Sequence, residues 1–62
     1  MKVKDIIKRL EEEGWVLARQ KGSHKQYKHP DKRELITLPD HSSNKEPSIG
    51  VLNDIFKKAG WE

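Results

Sequence analysis

The chain reads as one α+β domain with the element order α-β-β-β-α: a three-stranded antiparallel sheet with both helices on one face. Three observations predict this. Apolar residues recur at helical spacing near each end of the chain. Between them lie three short blocks with strand character, separated by turns that contain glycine or proline. The chain has 62 residues, so residues 1–62 are expected to form a single domain with one thin core. A chain of this size buries only about 60% of the surface its unfolded form exposes.

The first helix is expected over residues 3–13. Val3, Ile6, Ile7 and Leu10 fall on one stripe, and polar residues fill the other positions. Asp5 with Arg9, and Arg9 with Glu13, are spaced as i,i+4 pairs. Gly14 provides a left-handed stop. Glu11, Glu12 and Glu13 crowd the negative end of the helix dipole, a cost that packing of the stripe has to exceed.

Trp15 to Gln20 carries no helical stripe and is rich in aromatic and branched residues, so it reads as the first strand. Lys21-Gly22-Ser23 is a hairpin turn, and His24 to His29 is the second strand. Side chains alternate along a strand. His24, Gln26 and Lys28 therefore share one face, and Lys25, Tyr27 and His29 share the other. Tyr27 is the large apolar group here and marks the covered face, which leaves His24 on the open one. Pro30 to Arg33 is a turn, and Leu35 to Leu38, ended by Pro39, is the third strand. Asp40 to Pro47 is polar, without periodicity, and reads as a loop. Ser48 can cap a second helix whose stripe is Ile49, Leu52, Ile55, Phe56 and Ala59. Lys57 and Lys58 suit its negative end, and Gly60 stops it. Trp61 follows and is expected to be exposed, as suits a protein interface.

Charged residues make up 37% of the chain and hydrophobic ones 32%. That mix could signal disorder, but the periodicity argues for a fold. There is no cysteine, which excludes disulfides and thiolate metal sites and fits the expected cytoplasmic location. No apolar run approaches the roughly 20 residues of a membrane span, so no membrane role is expected. The N-terminus alternates charged and apolar residues, unlike a signal peptide. Residues 1–14 sum to zero charge, residues 15–33 to +5 and residues 34–62 to −2. Positive charge is thus concentrated in the central strands, a pattern that points to a polyanion. The alternative is a lysine-rich solvated hairpin.

His24 is the sharpest catalytic candidate. An imidazole can take up or release a proton near neutral pH. Beside a ribose 2′-hydroxyl it would drive attack on the adjacent phosphorus and cleave RNA, with the nucleophile supplied by the substrate. Lys21, Lys25 and Lys28 could hold the phosphate, and the glycine turn leaves room for its approach. The candidate RNA-binding set is therefore Lys21, Gly22, Ser23, Lys25 and Lys28. Against this stands the plainer reading of His24 as a polar strand residue. His29 and His41 could supply a second proton-transfer group, although His29 is expected to point away from His24. Adjacent histidines are 5 and 12 residues apart, which gives no pair with zinc-ligand spacing; no metal or cofactor is expected.

Several stretches resemble the HicA family of toxins. They are Leu10 to Trp15, Lys21-Gly22-Ser23-His24, Tyr27-Lys28-His29-Pro30, Thr37-Leu38-Pro39, Ile49 to Ile55 and Lys58-Ala59-Gly60. The resemblance spans nearly the whole chain. It implies a fold like that of the double-stranded-RNA-binding domain and the activity of an mRNA interferase, a ribonuclease that acts on mRNA and arrests translation. It also implies a HicB-type antitoxin as partner. The family's catalytic histidine maps onto His24. The position after it is often histidine or a bulky group and is Lys25 here, and Trp61 stands where an aliphatic residue is more usual. A non-catalytic RNA-binding module on the same fold is the alternative reading.

Overall fold

The computed structural model describes residues 1–39 and 45–61. The elements are α1 (Val3–Glu12), β1 (Val16–Lys21), β2 (His24–His29), β3 (Lys32–Pro39) and α2 (Ile49–Ala59). The strands form an antiparallel sheet in the order β1-β2-β3. Side chains of both helices meet one face of it, as the two apolar stripes require. The core joins Val3, Ile6 and Leu10 of α1, Trp15, Tyr27 of β2, Ile36 and Leu38 of β3, and Ile55 and Ala59 of α2. Tyr27 is buried and marks the covered face as expected.

Both helices end in the same way. Gly14 and Gly60 have φ of 98° and 76°, where only glycine sits without strain. The next residue, a tryptophan each time, donates its N–H back into the last turn: Trp15 to the Leu10 carbonyl and Trp61 to the Phe56 carbonyl, at 2.9 and 2.8 Å. This is the Schellman arrangement, and it absorbs carbonyls the helix end would otherwise leave unpaired. It also corrects the strand boundary. Trp15 is not the first strand residue; the reversal at Gly14 drives its ring into the core, where it is 1% exposed. At the other helix end, Ser48 caps α2 by accepting the Val51 N–H at 3.4 Å.

Four further expectations change. The turn after β2 is Pro30-Asp31 alone, and β3 already pairs from Lys32, because a tight hairpin brings charged residues into the ladder against their propensity. Ile49 is 77% exposed; it opens the first turn of α2, and Val51 packs on the core instead. Trp61 is half-buried rather than exposed. Its Nε1 donates to Glu13 Oε1 at 2.7 Å, Arg9 stacks over its ring at 4.3 Å, and Phe56 meets its edge. Arg9 leans toward Glu13, at 3.3 Å, and not toward Asp5. The Glu13 carboxylate at the end of α1 is thus held by two donors, which offsets its poor place on the dipole. Of the loop expected over Asp40 to Pro47, residues 40–44, with His41, lie outside the described residues.

The helices cover β2 and β3 but not β1, whose six residues are all exposed. Within β1 the pairing shifts register. Leu17 faces Tyr27, whereas Arg19 faces Gln26. Ala18 is therefore an extra residue, a β-bulge. Leu17 and Arg19 would share a face on a regular strand; here they point to opposite faces.

Gly14 and Gly22 separate two costs of adding a side chain. A Cβ on Gly14 would lie 3.0 Å from His29 Nε2, whereas one on Gly22, at φ 59°, meets nothing within 4 Å. We expect Gly22→Ala to cost about 1 kcal/mol of backbone strain and Gly14→Ala to cost more, on the order of 2–3 kcal/mol. Urea unfolding of both variants checks this ranking.

Candidate functional site

β2 carries a histidine at each end, and the fold places them on opposite faces. His29 lies toward the covered face. Its Nδ1 accepts the Asp31 N–H at 3.0 Å, so the proton sits on Nε2, which donates to the Glu13 carbonyl at 2.9 Å. The ring also meets the edge of Trp15, with centroids 5.2 Å apart. His29 thus closes the Pro30-Asp31 turn and ties it to the end of α1. Both ring nitrogens are engaged, which removes His29 as the second proton-transfer group.

His24 stands at the other end, on the open face, where it is exposed. It follows the turn Gly22-Ser23 and pairs with Lys21 on β1 and Pro39 on β3. Gly22 has a positive φ and Ser23 does not, the pattern of a type II′ hairpin with glycine first. This turn holds Lys21 and His24 directly across from each other, with Cβ atoms about 5 Å apart. A shallow depression of about 600 Å³ opens beside them, lined by Arg19, Lys21, Gly22, Ser23, His24, Gln26 and Thr37. Thr37 is opposite Gln26 on β3, and Arg19 is opposite Gln26 on β1.

Four of the expected site residues, Lys21, Gly22, Ser23 and His24, therefore share one surface. Lys25 and Lys28 do not line the depression. Lys25 pairs with Leu38 and Gln20 toward the covered face, because alternation turns it away from its neighbour His24. Lys28 pairs with Val16. It is exposed on the same face as His24, but four residues along a strand places it about 13 Å away. Arg19, Gln26 and Thr37 were not anticipated. Gln26 could have been found, since alternation places it on the face of His24. Arg19 could not, because its orientation depends on the bulge at Ala18. Among the described residues, no three His, Cys, Asp or Glu side chains gather in a way that could hold a metal ion.

Such a surface can receive a phosphodiester. Its walls are cationic and polar, it is open to solvent, and an imidazole stands at its edge. No described helix is long and apolar enough to cross a membrane. Residues 3–61 match the family model described as the HicA toxin of bacterial toxin–antitoxin pairs. No curated relative matches the chain.

The two histidines differ in what their removal does to stability. We expect His29→Ala to cost roughly 1–3 kcal/mol, since it removes two hydrogen bonds, to the Glu13 carbonyl and from the Asp31 N–H, and the edge contact with Trp15. His24→Ala, at an exposed position, should cost no more than about 1 kcal/mol. Thermal unfolding followed by circular dichroism measures both.

Proposed function

The chain belongs to the HicA toxin family, the toxins of bacterial toxin–antitoxin pairs, and on that premise we propose that it is a metal-independent endoribonuclease acting on mRNA. The observation that carries this is His24, exposed on the open face beside a cationic depression. The toxin would arrest translation and growth by cutting messages.

In the proposed reaction the RNA lies across the open face, with a ribose-phosphate unit in the depression. His24 removes the proton from the 2′-hydroxyl. The freed 2′-oxygen attacks the adjacent phosphorus, a P–O bond forms, and the bond from phosphorus to the 5′-oxygen breaks. The products are a 2′,3′-cyclic phosphate and a 5′-hydroxyl. The leaving 5′-oxygen collects a proton from the solvent to which the depression opens. Lys21 lies directly opposite His24 and would counter negative charge on the phosphate. The backbone at Gly22 and Ser23 lets the strand approach closely, and Lys28, farther along the face, would hold a flanking phosphate. Lys25 points elsewhere and would contribute only long-range attraction.

A HicB-type antitoxin is the proposed protein partner, and covering the open face would silence the toxin. That face is accessible in the isolated chain because both helices pack on the other side of the sheet.

Replacing His24 with alanine is expected to reduce RNA cleavage by about 10²–10⁴-fold while the circular dichroism spectrum is unchanged. A well-folded variant that still cleaves would remove His24 from the mechanism. RNA bound with strong salt dependence but yielding no new ends would support a non-catalytic binding module. Cleavage by the unsubstituted protein is expected to persist in a chelator.

A further inference from the structure

We propose that Arg19 is a catalytic residue that grips the non-bridging oxygens of the scissile phosphate; this rests on the ribonuclease reading above. Three observations carry it. First, Arg19 lines the same depression as His24. It pairs with Gln26, two rungs inward from the Lys21–His24 pair and so on the same face. That makes it a diagonal neighbour of His24, about 7–8 Å away between backbones, a gap that a long side chain and a phosphate can fill between them.

Second, the bulge at Ala18 is what places it there. In unbroken register Arg19 would share the face of Leu17, which pairs with Tyr27. The extra residue turns the guanidinium onto the open face. Bulges recur beside active sites, where they re-aim a side chain.

Third, the Arg19 side chain forms no hydrogen bond or ion pair among the described residues, in contrast to that of Arg9, which is committed to Glu13 and Trp61. An exposed guanidinium without a carboxylate partner is available for an anion. Its planar fork can hold two phosphate oxygens at once, which an ammonium cannot. No proton moves through Arg19. It balances charge that grows on the non-bridging oxygens as the 2′-oxygen attacks.

The test uses an RNA oligonucleotide with one cleavable linkage, made with ordinary phosphate and as separate Rp and Sp phosphorothioates. The unsubstituted protein, His24→Ala, Arg19→Ala, Arg19→Lys and Arg33→Ala are compared. Arg33 is exposed on β3 outside the depression and controls for loss of one positive charge. We expect Arg19→Ala to lower kcat by about 10²–10³-fold with a much smaller change in RNA binding. Arg19→Lys should recover only part of this, and Arg33→Ala should cleave near the unsubstituted rate. The unsubstituted protein should prefer one phosphorothioate isomer, and Arg19→Ala should lose that preference. If Arg19→Ala cleaves normally and keeps the preference while His24→Ala is inactive, the inference fails and the ribonuclease reading stands. If Arg33→Ala is impaired as severely as Arg19→Ala, the effect is bulk charge and the inference also fails. An unsubstituted protein that cleaves none of the substrates overturns both.

Discussion

The reversal at Gly14 is the constraint on which the rest of the molecule depends. Its left-handed backbone ends α1, sends Trp15 into the core and releases the chain into β1. The same corner receives His29 from the second hairpin turn, through the Glu13 carbonyl and the edge of the Trp15 ring. It also receives Trp61 from the far end of the chain, through the Glu13 carboxylate. Three segments distant in sequence therefore meet at one helix end. A side chain on Gly14 would press on His29, which holds the space it would enter.

Toward the opposite end of β2 the core reaches only to Leu38, across from Lys25, and His24 beyond it is exposed. Tyr27 and Ile36 lie on the covered face, and β2 has to run outward from them. The Gly22-Ser23 turn, with His24 and Lys21 beside it, is the part of the sheet farthest from the Gly14 corner along β2. Stability and the proposed chemistry thus occupy separate ends of one strand. This matters in a chain so short, where the core has little to spare for strain or for buried polar groups.

Much of this was legible in the sequence, for identifiable reasons. Helix stripes and strand alternation are set by backbone periodicity, so Val3, Ile6, Leu10 and Tyr27 point where their spacing says. The glycines that end both helices and turn the first hairpin mark backbone conformations few other residues adopt. What escaped depends on contacts between distant segments. Trp61 looked like an exposed tail because nothing near it in sequence reveals Glu13 and Arg9 as its partners. Ile49 matched the stripe by spacing, but it lies at the end of α2, where coverage stops. The bulge at Ala18 left no compositional mark. Alanine is disfavoured in strands generally and does not single out a bulge; only the pairing partners on β2 reveal the extra residue. Arg19 was missed for that reason, whereas the open face of His24 could be deduced from Tyr27 alone.

The uncovered ribbon is costly for so small a protein, and its charge explains what could make it useful. Residues 15–33 carry a net +5, and β1 buries none of its six residues. Arg19 and Lys21 sit across from Gln26 and His24 rather than from carboxylates, so cross-strand pairing does not cancel their charge. Val16, Leu17 and Leu35 remain about half exposed on the same sheet. A sheet selected for stability alone would place acidic partners opposite those cations, since cross-strand pairs of opposite charge stabilise, and would bury those aliphatic groups. A polyanion lying on the open face would supply the missing counter-charge. A protein partner on the open face would cover the cations and Val16, which pairs with Lys28 there, but not Leu17, which points to the opposite face. The uncancelled cations of the open face thus weaken the isolated sheet and are also what an anionic partner would use.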